Sequence, residues 1–174
     1  MNAREWKSVG DRATWLLCNA DQAAPREHLQ GMALQLRLWR SPASGAHVSW
    51  SILIPVREFR ARKSIVREVA WDPSRERKRR AGVEPDVRIR DAEIDWEKLA
   101  PFLDKAGGLH PVLTGMVSSP EPRTSVAGVE GSRAYSHVRL EWSGRGPRAW
   151  APTIAWFERF RTLLARTVRK SRPS

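Results

Sequence analysis

Apolar and polar positions alternate with a period of two along much of this chain. Met32, Leu34, Leu36 and Leu38 alternate with Ala33, Gln35, Arg37 and Trp39, the spacing of a half-buried strand. Ser41-Pro-Ala-Ser-Gly45 is turn material, and beyond it Val48, Trp50, Ile52, Ile54 and Val56 alternate with His47, Ser49 and Ser51, so the two runs predict a hairpin. Pro55 has no amide hydrogen to give a ladder, which predicts that the second strand ends there or lies at an edge. Ala13–Cys18 reads as an earlier strand. Residues 64–72 fit either period, because Ile65, Val69 and Trp71 suit a strand while Ile65, Val66, Val69 and Ala70 suit a helical face; strand is the preferred reading.

Val87–Arg90 predicts a short strand. After it the apolar parity shifts, and Asp95 is placed to cap a helix carrying Trp96, Leu99, Phe102, Leu103 and Ala106, with a kink or restart at Pro101 and an end at Gly107-Gly108. Residues 110–133 are rich in Pro, Ser and Gly, with one strand expected near Thr124–Glu130. Ala134–Trp142 alternates again, with Tyr135, His137, Arg139 and Glu141 on its polar face. Gly144-Arg-Gly-Pro147 is a turn, and Pro152 in a first helical turn opens a helix to about Lys170 with a stripe of Ile154, Phe157, Phe160, Leu164 and Val168. These elements predict one α+β domain over residues 1–174, with flexible ends at about 1–5 and 170–174. Its expected architecture is a largely antiparallel sheet of about five to seven strands, packed by a kinked central helix and a long C-terminal helix.

Composition is that of a folded chain: 174 residues, 41% hydrophobic and 29% charged, lie in the range of one globular domain, and nine Trp would serve no purpose in a disordered one. Cys18 is the single cysteine, so no internal disulfide forms, and no run of apolar residues approaches the ~18 that a membrane span needs. The N-terminus carries charges where a signal peptide needs its apolar run, and a cytoplasmic protein of bacterial type is expected.

Charge changes the picture. There are 31 Lys and Arg against 19 Asp and Glu, a net charge of +12, and 25 of the bases are Arg. Between Arg57 and Arg80 ten bases face four acids, and from Arg133 onward ten face two, whereas Glu84–Asp104 holds seven acids and three bases. Such segregation points to a polyanion-binding surface. Candidate contacts are Arg60, Arg62 and Lys63; the run Arg75, Arg77, Lys78, Arg79 and Arg80; Arg139; and Arg159, Arg166 and Lys170 along one side of the last helix. Trp39, on a polar strand face, and Trp150, in a loop, are the candidate rings for stacking on unpaired bases. No helix-turn-helix or zinc-finger pattern occurs, so RNA or single-stranded nucleic acid is favoured over sequence-specific duplex DNA as the partner. The chain would then be a non-catalytic subunit or accessory of a nucleoprotein complex. An acidic protein docked on the Arg-rich surface is the alternative partner.

Two other chemistries are open. His47-Val-Ser49-Trp50 resembles the His-apolar-Ser/Thr-apolar element of the two-histidine phosphoesterases, which carry it twice on neighbouring strands; the resemblance implies a general base and a general acid facing one phosphodiester. The second copy, His137-Val-Arg139-Leu140, has Arg139 where that element needs Ser or Thr. Asp91, Glu93 and Asp95 would share one face of a continued strand and suit Mg²⁺ or Mn²⁺, but a helix cap with acids in the first turn accounts for them equally. No catalytic residue, metal site or cofactor is assigned from the sequence.

Overall fold

A computed structural model describes residues 17, 29, 31–56, 63–75, 85–107, 126–133 and 136–171. Six strands, β1 (Met32–Ser41), β2 (His47–Pro55), β3 (Ser64–Trp71), β4 (Val87–Ile94), β5 (Val126–Arg133) and β6 (Ser136–Ser143), form one antiparallel sheet in the order β4-β3-β2-β1-β5-β6. Two helices complete the α+β architecture: α1 (Trp96–Gly107) and α2 (Ala151–Lys170), the latter entered through a 3₁₀ turn at Arg148–Trp150.

The helices pack on one face of the sheet. Leu36, Leu38, Trp50, Ile52, Ile54, Val66, Ala92, Ile94, Val129, Leu140 and Trp142 from the strands meet Leu99, Trp150, Trp156, Phe157, Phe160, Leu164 and Val168 in a single buried cluster. Ring contacts fix its geometry. Trp142 meets Phe157 edge-on at 4.9 Å, Phe102 stacks on Phe160 at 4.5 Å, and Trp156 Nε1 donates to the Phe102 carbonyl at 3.1 Å, joining the two helices. The predicted stripe of α2 holds, with Ile154 only half-buried and Trp156 added.

The opposite face is also buried at its centre, and this explains most departures from the sequence reading. β3 is buried on both sides, so a period of two leaves no mark on it, and the strand reading proves right. β4 runs to Ile94, not to Arg90: Val87 and Ile89 lie on the second face against Leu17 and Val69, while Ala92 and Ile94 lie on the helix face. The parity shift therefore marks a strand changing which face it buries, not a strand ending. In β1 a bulge between Leu34 and Leu36 breaks the alternation, so Leu34 pairs with Leu53 and leaves the face that Leu36 and Leu38 share. β2 is internal and ends at Pro55, as a missing donor requires. α1 runs through the exposed Pro101 as one helix, in place of a restart. Leu17, the described residue of the expected strand at 13–18, has helical backbone.

Candidate nucleic-acid interface

α2 presents its cations away from the core because its period is 3.6: Arg159, Arg166 and Lys170 recur at spacings of seven and four residues, opposite Phe157, Phe160, Leu164 and Val168. All three are exposed, as is Arg169. Glu158 is the one acid of this helix and is taken by Arg161, whose Nη2 lies 2.7 Å from Glu158 Oε2. Among the described residues Arg166, Arg169 and Lys170 have no carboxylate partner. Arg169 and Lys170 also complement the helix dipole, which stabilises cations in a last turn.

The placement of α2 joins these cations to others. Its first turn lies beside β6, where a Cβ on Gly146 would meet Ile154 and Trp142, and its body packs against β3 and β4. A helix of 20 residues is about 30 Å long. Strands about 4.8 Å apart put β4 about 24 Å from β6, so α2 crosses the whole sheet and its C-terminal half lies over β3 and β4. There β4 adds Arg88 and Arg90, both exposed and both on the helix face, since they pair with Ala70 and Glu68. Arg88 Nη2 approaches Glu68 Oε1 at 3.5 Å, while Glu68 Oε2 accepts from Trp50 Nε1 at 3.0 Å. At the other end of α2, Arg145 and Arg148 are exposed in the turn that leads into it. A cationic band thus follows α2 from one sheet edge to the other.

Arg88, Arg90, Arg145, Arg148 and Arg169 were not among the sequence candidates. The signal for the β4 pair was present as alternation, Arg88 and Arg90 opposing Val87 and Ile89, but the segment's acidic balance hid it. Of the predicted contacts, Lys63 is exposed and paired with Glu93 at 2.7 Å, a carboxylate whose hydrogen bond raises the Lys63 pKa; Arg75 is exposed with Asp72 at 3.7 Å. Arg60, Arg62, Arg77, Lys78, Arg79 and Arg80, and the side chain of Arg139, lie outside the described residues. Trp150 is a correction: its ring is buried in the helix-side core and offers no stacking surface. Trp39 is half-buried against Gly128, where an added Cβ would lie 2.2 Å from its ring.

The second face carries charge of a different kind. One row across it reads Asp91, Arg67, Ser51, Arg37 and Glu130. Arg67, fully buried, holds Asp91 through Nε at 2.8 Å and Nη2 at 3.0 Å, and buried Arg37 holds Glu130 at 2.6 Å and donates from Nε to Ser51 Oγ at 3.3 Å. These two arginines are matched internally and add nothing to the surface field.

The same register separates the histidines. Val48, Arg40, Ala127 and Trp142 form one row; His47 lies one residue beyond it on β2 and His137 five residues to its other side on β6. Six residues along the strand direction alone amount to about 20 Å, so the pair cannot face one phosphodiester. His47 packs instead on Trp71, ring centroids 5.3 Å apart, and burial lowers its pKa against the opposing pull of Asp72. The acids Asp91, Glu93 and Asp95 are held by Arg67, Lys63 and Lys98, and among the described residues no group of His, Cys, Asp and Glu has the arrangement of a metal site.

Comparison with known proteins finds no matching family model, no matching curated protein and no matching solved structure. No helix among the described residues is long and apolar enough to cross a membrane.

Proposed function

We propose that this protein binds nucleic acid without acting on it, gripping the phosphate backbone along α2 and the neighbouring strand β4. The observation that carries the reading is the band of exposed Arg and Lys across the helix side, in which Arg90, Arg166, Arg169 and Lys170 lack carboxylate partners among the described residues. The helix and strand fix the backbone positions of these cations, and each phosphate they neutralise releases counterions. The separation of His47 from His137 supports a binding role over phosphodiester cleavage.

Fluorescence anisotropy with labelled oligonucleotides, titrated between about 50 and 200 mM salt, tests it. Log K is expected to fall linearly with log salt, and a variant with Arg166, Arg169 and Lys170 changed to Gln is expected to flatten that line by about one unit for each phosphate no longer neutralised. No binding at low salt by folded protein rejects the reading. Capture of acidic proteins without nucleic acid by that folded protein would point to the protein-docking role instead.

A further inference from the structure

We infer that the cationic band takes the backbone of a double helix, read by charge and not by base, in preference to a single strand. This rests on the nucleic-acid reading above and gives it a substrate class.

Single strands are bound tightly when rings are free to stack on their bases. On this protein the described rings have other work. Trp142 meets Phe157, Trp156 is tied to Phe102 and Phe160, Trp50 donates to Glu68, Trp71 packs at a tilt on His47, and Trp39 lies over Gly128. Among the described residues the band offers positive charge alone, and such a surface favours the polyanion of highest charge density. A duplex presents one phosphate per about 1.7 Å of axis, which gives salt slopes of about 0.9 per neutralised phosphate against about 0.7 for single strands.

Geometry agrees. Arg166, Arg169 and Lys170 stand on α2, and Arg88 and Arg90 stand on the edge strand at the same end of the molecule. Cations on two separate elements at one end of the molecule form an extended surface that suits a backbone with phosphates on two strands. Double-stranded DNA and RNA share this chemistry, and the experiment separates them.

Duplexes of about 20 base pairs, one DNA and one RNA, are compared by anisotropy with unstructured oligo-dT and oligo-U of equal length across the same salt range. Both duplexes are expected to bind at least tenfold more tightly than either single strand, with the steeper slope and no dependence on base sequence. Changing Arg90, Arg166, Arg169 and Lys170 together to Gln should weaken duplex binding at least tenfold in a variant that still melts cooperatively. Single strands bound as tightly as duplexes would overturn this inference and leave nucleic-acid binding standing. So would an unchanged duplex affinity in the folded variant, or a tenfold preference for one base sequence. Binding of none of the four probes would overturn the parent reading as well.

Discussion

Arg67 has no surface exposed, yet it carries a full charge. It is tolerated because both oxygens of Asp91 meet its guanidinium in a two-pronged contact across β3 and β4, the geometry in which a buried pair offsets its lost hydration. Removing one partner takes this contact from the other's buried charge. Arg67→Met is therefore expected to cost about 3 to 5 kcal/mol, whereas Arg67→Met combined with Asp91→Leu should recover a large part of that loss. Urea unfolding followed by Trp fluorescence measures both; equal destabilisation by the single and double changes would show that the pairing is not what matters. Ser49 illustrates the opposite case, since its buried hydroxyl has no hydrogen-bond partner among the described residues.

At the level of elements, β1 and β5 approach closely at Gly128 and at Gly131. A Cβ on Gly128 would fall 2.2 Å from the Trp39 ring and 2.7 Å from the Leu140 carbonyl, so only glycine lets β5 lie flat beneath that indole. Gly128→Ala is expected to destabilise by about 1 to 3 kcal/mol, read as a lower thermal midpoint. A wild-type midpoint would mean that Trp39 swings aside freely. The β1–β2 hairpin and the stripe of α2 were legible in the sequence because polar and apolar residues recur there with the period of the element, Ser49 and Ser51 keeping that mark on β2 although both are buried. β3 was ambiguous because both its faces are buried and period two vanishes, and the second half of β4 was missed because the strand changes which face it buries. The candidate site was half legible: Arg159, Arg166 and Lys170 follow from helical period, but the contribution of Arg88 and Arg90 depends on α2 crossing to β4, a relation that no local pattern contains.

For the molecule as a whole, acid acts in one direction on the groups whose pKa is lowered. His47 is held below its ordinary value of 6.5 by burial, and Asp72 and Asp95 below 3.8 by hydrogen bonds from Ser74 and Lys98. In each case the unfolded chain binds the proton more readily. Stability from His47 is thus complete above pH 6.5 and is lost as pH falls through its lowered folded value; that from the two carboxylates is lost as pH falls below 3.8. The thermal midpoint should decline on acidification below pH 6.5, and His47→Gln should flatten that first part of the curve. A His47→Gln profile parallel to wild type across that interval would refute the assignment. Acidification also strengthens the positive field of a chain already at +12, so binding and folding respond oppositely to the same change.

The position of β1 in the middle of the sheet has a consequence for how the chain reaches this form. Its partner on one side, β2, follows after a short turn, but Arg37 and Glu130 on the other side are 93 residues apart. The meander β1 to β4 can assemble from neighbours, while closure against β5 must wait for a long-range encounter and its loop entropy. During synthesis the bare edge of β1, with Leu36 and Leu38 along it, stays open until residues 126–143 have been made and released. The step that completes the sheet is therefore also the one that ends the nascent chain's period of greatest exposure to aggregation.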